Sequence, residues 1–330
     1  MSLKEDINFS LWCDFIERDF LENRFQEILE DGTIHGATSN PAIFESSIST
    51  SLAYKQQLDM LQANNAKTIY EELAITDIKR AATLMDSLHK ENLDDGFISI
   101  EVDPLLCDDA AGTIEEGIRL HNTIGVDNVM IKIPATQAGY IAMRELTSKG
   151  IHVNATLIFS PQQAINCAKA LNEGIKESNK NIKAVISIFV SRFDRLCDSD
   201  FASKGLEKFK LGIMNATKCY HEINRFENAN IRTLFASTGV KGDELAPSYY
   251  VDNLIYPNSV NTAPLGTIEE WVVDGQKEES TIITNDQCDE YFQMLKDKGV
   301  DINAVYEKLL TDGLDAFKVS FKELLGKLLK

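Results

Sequence analysis

Residues 128–139 read NVMIKIPATQAG, and the fold turns on how Lys132 sits among Val129, Met130, Ile131 and Ile133. An uninterrupted apolar run closed by Pro134 is the pattern of a strand buried on both faces, as in a parallel sheet. An ammonium is costly to bury, and the neutral amine is the form that attacks a carbonyl to give a Schiff base. A lone lysine on such a strand more commonly extends its stem and keeps its head in water. Which of the two applies depends on what the other strands bring to the same place.

Seven further runs share this character, so strands are predicted at residues 10–13, 34–38, 97–102, 128–133, 152–159, 183–190, 232–236 and 259–262. Segments of helical periodicity lie between them. Ser160 followed by Pro161 has the form of an N-cap and first helical residue. Gly150 stands where a helix C-terminal glycine is expected. Strands alternating with helices imply a parallel sheet covered by helices, and eight such units favour a closed (β/α)8 barrel of the TIM type over an open doubly wound sheet. No GxGxxG follows the first strand, and there is no Walker-type GK[ST] motif. With no linker rich in Gly, Ser or Pro, the expectation is one α/β-barrel domain over residues 1–330. It carries a helical insert at about 52–90 and a C-terminal helical extension at about 268–330. Phe317, Phe321, Leu324, Leu325 and Leu328 share one face of a helix in that tail, which reads as packing on the barrel wall.

The net charge of -18 repels phosphate backbones and anionic membrane surfaces, so neither is expected as a partner, and any phosphorylated ligand needs a local cationic pocket. Six scattered cysteines without CxxC spacing suggest neither a zinc site nor a disulfide framework. The first residues lack the apolar core of a signal peptide, and no run is long enough to span a membrane, so cytoplasmic residence is expected.

Residues two apart on a strand share a face. Ile98, Ile100 and Val102 form one side of the third strand, and Ser99, Glu101 and Asp103 the other. The apolar side should meet helices, which turns Glu101 toward the barrel interior. The same parity groups Met130 with Lys132, Asn154 with Thr156, Ser187 with Phe189, and Thr38 with Asn40. These residues come late in their strands, and the carboxyl ends of barrel strands form the catalytic face. In such a pocket Lys132 is the nucleophile. Glu101 is a general acid and base, directly or through a water that Thr156 positions. Asn40, Asn154 and Ser187 suit sugar hydroxyls, and Arg192 offers a planar fork to a phosphate.

Six ordered motifs carry a resemblance to the transaldolase family over nearly the whole chain: HGATSNPAIF at 35–44, SIEVDP at 99–104, MIKIPATQAG at 130–139, VNATLIFS at 153–160, ISIFVSRFD at 186–194 and FASTGVK at 235–241. The resemblance implies an α/β barrel with Lys132 as the imine-forming lysine. It implies transfer of a dihydroxyacetone unit from a ketose phosphate, fructose 6-phosphate or sedoheptulose 7-phosphate, to erythrose 4-phosphate or glyceraldehyde 3-phosphate in the non-oxidative pentose phosphate pathway. By the same resemblance, Asp14 in LWCDFIERDFLE takes the proton from the substrate hydroxyl beyond the bond that breaks, with Asp19 the competing candidate. Glu101 and Thr156 match the pair that handles the catalytic water. Asn40, Asn154 and Ser187 match the groups that hold the dihydroxyacetone moiety and Arg192 matches a phosphate ligand, with Phe189 and Ser237 as further substrate-binding residues. No metal or organic cofactor is implied, and no partner beyond small sugar phosphates; a homodimer is left open.

The chain departs from the best-known family pattern at three points. Ser39 stands where threonine is usual, Ser191 replaces a glycine, and Lys241 lies in the segment where a second phosphate-binding arginine is often found. Lys241 is expected to substitute as a point charge. Two other functions fit parts of the pattern: a class I Schiff-base aldolase on the same barrel, and a binding protein that kept the fold without the chemistry. The full set of lysine, glutamate, threonine and aspartate speaks against the second.

Overall fold

The computed structural model describes residues 3–329. Eight parallel strands close into a barrel in chain order: β1 (Ser10–Cys13), β2 (Gly36–Thr38), β3 (Phe97–Glu101), β4 (Val129–Pro134), β5 (His152–Ile158), β6 (Ala184–Phe189), β7 (Ile231–Ala236) and β8 (Ser259–Ala263). β8 pairs back onto β1, with Trp12 opposite Thr262. Each strand lies within a residue or two of its predicted position. Helices cover the outside, and some of their ends are locally encoded. Ser160 and Gln163 form a reciprocal capping box with Pro161 in the first turn. Gly150 takes φ +84° after the Gln137–Ser148 helix, a conformation that costs glycine little.

The two faces of each strand divide the core. Ile98, Ile100 and Val102 point outward with Ile131, Ile133, Val153 and Ala155 into the layer shared with the helices. Trp12, Phe97, Met130, Val185, Leu234 and Val260 point inward and fill the lower barrel. Gly36 is required there, because a Cβ at that position would lie 2.6 Å from the Trp12 ring. Asp103, just beyond β3, leaves the interior side and pairs with Lys67 at 2.8 Å.

The amino-terminal end of the barrel is closed by a polar plug around Arg232 on β7, which is 4% exposed. Its guanidinium donates to the carbonyl oxygens of Asn8 (2.6 Å), Ser259 (2.7 Å) and Asp94 (3.1 Å) and to Ser10 Oγ (2.8 Å). Ser10 in turn donates to Asp95 at 2.7 Å, and Lys4 reaches both. A buried guanidinium is tolerated because carbonyls and a hydroxyl take up the donors of its two terminal nitrogens and the Asp95 carboxylate lies 3.7 Å away.

The last helix, Ile302–Leu328, is seated by the predicted apolar face: Phe317, Phe321 and Leu324 are buried, and Phe321 meets Tyr70 edge-on at 5.4 Å. Its course differs from simple packing on the wall. A Cβ on its Gly313 would lie 3.2 Å from Leu157 and 3.4 Å from Arg192, and Phe317 lines the central cavity, so the helix also crosses the mouth of the barrel. All six cysteines are buried and unbridged.

Candidate active site

The carboxyl ends of the strands surround a cavity of about 390 Å³. Asp14, Asn40, Lys132, Thr156, Ser187, Phe189, Arg192, Ser237 and Lys241 all line it. Glu101 and Asn154 lie just behind the lining, one facing Lys132 and the other bonded to Ser187. The lysine, the two acids and the substrate-binding residues named from the sequence thus lie around one place, with the alternative acid Asp19 outside it. Asp14 follows β1 directly and faces the cavity, whereas Asp19 is exposed on the short Arg18–Glu22 helix and does not line it.

Register explains the convergence. Glu101 stands opposite Lys132, and Lys132 opposite Asn154, so neighbouring strands present the three side chains in one layer. Lys132 is 5% exposed, and its Nζ donates to the Ser39 carbonyl at 3.0 Å and lies 3.9 Å from Glu101 Oε2. Burial pushes the Glu101 carboxyl up to about 7; the positive charge of Lys132 resists this and the negative charge of Asp14 adds to it. Neither oxygen of Glu101 has a hydrogen-bond partner in the protein, nor has the hydroxyl of Thr156. Buried polar atoms in that condition mark a place built for something else.

Beside this pair runs a relay of neutral groups: Ser187 donates to Asn154 (2.7 Å), and Asn154 donates to Ser99 (3.2 Å). Asn40 caps the Pro41–Thr50 helix, its Oδ1 accepting from the amides of Ala42 and Ile43, both at 3.0 Å. Its amide nitrogen is thereby left as the donor. Across the mouth, the Thr38 hydroxyl lies 2.6 Å from Asp14 Oδ1 and 2.9 Å from the hydroxyl of Thr262 on β8. A register shift in β5 between Ala155 and Ile158, with Leu157 at φ +57°, re-aims the strand beside Thr156; bulges of this kind recur next to active sites.

The cavity lining is cationic in a chain that is acidic overall: Lys132, Arg192, Arg195 and Lys241 against Asp14. Arg192 lies over the Phe189 ring, with Cζ 4.8 Å from its centroid. Burial, together with the neighbouring charge of Arg195, brings its guanidinium down to about 10. Two adjacent guanidiniums without a paired carboxylate among the described residues fit an anion with several oxygens. Behind them Ser191, which is buried, meets Ser237 through their hydroxyls at 3.2 Å, and Ser237 holds φ +56°. Sequence reasoning did not reach Arg195 or Thr262, and placed Ser99 on the Glu101 face without giving it a role. Arg195 is one helical turn from Arg192 and could have been found by that spacing.

Among the described residues no group of three His, Cys, Asp or Glu side chains is placed to hold a metal ion, and no helix is long and apolar enough to cross a membrane. The chain matches the family model for transaldolase/fructose-6-phosphate aldolase over residues 11–328. It is 45% identical over 318 residues to a transaldolase of Helicobacter pylori (strain ATCC 700392 / 26695), covering 96% of this chain and 98% of that protein. It is 46% identical over an alignment of 332 residues to a transaldolase of Campylobacter jejuni (strain RM1221), covering 97% and 99% respectively.

Proposed function

The chain belongs to the transaldolase/fructose-6-phosphate aldolase family, and from that premise we propose that it is a transaldolase that carries a dihydroxyacetone unit as a Schiff base on Lys132. The observation that carries this reading is the buried Lys132 amine, 3.9 Å from a carboxyl group whose ionisation is pushed to about 7, beneath a cavity lined by the guanidiniums of Arg192 and Arg195.

In this reading Lys132 Nζ attacks the ketone carbon of a ketose phosphate, and the carbinolamine loses its hydroxyl as water. Glu101 supplies the proton for that departure and later takes one from the hydrolytic water, for which a group titrating near neutrality is suited. The partnerless oxygens of Glu101 and the hydroxyl of Thr156 are the groups that hold this water. Asp14 then accepts the proton of the hydroxyl on the far carbon of the scissile bond, the carbon that becomes the aldehyde. The carbon–carbon bond breaks, its electron pair moves into the imine, and an aldose phosphate leaves.

The three-carbon fragment stays on Lys132 as an enamine, its hydroxyls held by Asn40, Asn154 and Ser187. An acceptor aldose phosphate enters, its aldehyde carbon takes the electron pair, and its oxygen takes the proton back from Asp14. Arg192, with Ser237 and Lys241, receives the phosphate of donor and acceptor alike. The chemistry calls for no cofactor, its partners are small sugar phosphates, and the enzyme is read as cytoplasmic.

The test is intact mass after borohydride reduction in the presence of fructose 6-phosphate. Wild type should gain the mass of a reduced dihydroxyacetone adduct and Lys132→Ala should not; a folded wild type without adduct overturns the reading. Turnover that depends on added erythrose 4-phosphate separates transfer from simple aldol cleavage.

A further inference from the structure

We propose that Thr262 is a positioning residue for Asp14, acting through Thr38; this rests on the reading of Asp14 as the proton acceptor. A carboxylate oxygen only accepts, and a hydroxyl has a single proton. With Thr38 Oγ1 2.6 Å from Asp14 Oδ1, the Thr38 proton is committed to Asp14. The 2.9 Å contact between Thr38 and Thr262 is therefore made with the Thr262 proton. The result is a one-way chain from Thr262 on β8 to Thr38 at the end of β2 to the carboxylate just beyond β1, spanning three adjacent strands. Thr38 and Thr262 are 2% and 4% exposed where they edge the cavity, and each donated bond polarises the next.

The chain has a directional effect. Thr38 makes the one side-chain hydrogen bond that Asp14 receives among the described residues, and it occupies Oδ1. Oδ2 is left as the oxygen that takes the substrate proton and returns it to the acceptor. Thr262 fixes this arrangement by holding the Thr38 hydroxyl from the far side. Without that bond Thr38 can turn about χ1 and release Oδ1. The Thr262 side chain has no other hydrogen bond among the described residues; only its backbone carbonyl is used elsewhere, by Thr238 at 2.8 Å.

Two substitutions separate this role from packing. Thr262→Val keeps the shape and removes the hydroxyl, whereas Thr262→Ser keeps the hydroxyl and removes the methyl. The proposal expects Thr262→Val to lose about tenfold in kcat with KM little changed, the scale of one hydrogen bond lost in the transition state. It expects Thr262→Ser to retain most of the turnover even if its thermal midpoint falls. Borohydride trapping with fructose 6-phosphate should still label Lys132 in both variants, because imine formation precedes the step that uses Asp14. Wild-type kcat in Thr262→Val, or losses that follow the missing methyl in Thr262→Ser, overturn the relay. Absence of the adduct in wild type would instead overturn the Schiff-base reading beneath it.

Discussion

Replacing Glu101 with glutamine tests the electrostatics of the site through stability. In the unfolded chain this carboxyl titrates near 4.5, and in the barrel at about 7, with burial the largest cause. An acid whose folded pKa is raised makes folding less favourable once the unfolded chain ionises and the folded one does not. Between about pH 4.5 and 7 the folded state binds the extra proton, so this group's contribution falls as pH rises. The whole change, from 4.5 to about 7, corresponds to about 3 kcal/mol. Glutamine resembles the protonated acid in shape and does not titrate. Urea unfolding of wild type and Glu101→Gln at pH 4 and pH 8 should therefore show the stability difference shifting by about 3 kcal/mol in favour of the variant on going to the higher pH. Any constant offset from exchanging a carboxylic acid for an amide cancels in that comparison. Catalysis should collapse in the same variant, since an amide cannot shuttle protons. Parallel pH dependences would refute the argument, because they would mean that Glu101 ionises in the barrel much as it does in the unfolded chain.

Three other outcomes follow from the structure. Arg192→Ala should raise KM for sugar phosphates about ten- to a hundredfold, as expected for lost charge-assisted hydrogen bonds, and Arg195→Ala, at the more exposed position, should raise it only severalfold; steady-state kinetics at two salt concentrations would show it. His152, whose Nδ1 accepts from the Lys183 amide, is held down to about 4 chiefly by burial. Its unfolded form takes up a proton below about pH 6.5 and the folded form does not, so up to about 3 kcal/mol is lost as pH falls from 6.5 toward 4. Unfolding of His152→Asn should lack that limb. Arg232→Met should cost about 3 to 5 kcal/mol by stranding the acceptors of the plug, read as a lower urea midpoint, while folded protein at low temperature keeps its kcat.

Two strands show how far the sequence could be read. VMIKIP and IRTLFA each place a cation in an apolar run. Lys132 is late in β4 and faces the catalytic cavity; Arg232 is second in β7 and closes the opposite end. Polarity within a strand was legible, but it acquires meaning only from the end of the strand on which it falls. Alternation located Glu101, Asn154 and Ser187 because β3, the start of β5 and β6 are regular. It could not foresee the shift at Leu157, which is a local backbone event. Thr262 escaped notice because its role is set by the closure of β8 onto β1, a contact between the first and last strands that no local pattern announces. The course of the last helix across the mouth was likewise invisible, since an apolar stripe shows which face is buried and not what it is buried against.

The Arg232 plug also bears on the order of events. A barrel sealed below by a guanidinium and roofed in part by its last helix is a vessel with one door. The first aldose leaves by the route through which the second arrives. On the proposed Schiff-base cycle the first aldose departs before the second adds, which expects double-displacement kinetics with parallel reciprocal plots and competition between the two aldoses for the loaded enzyme.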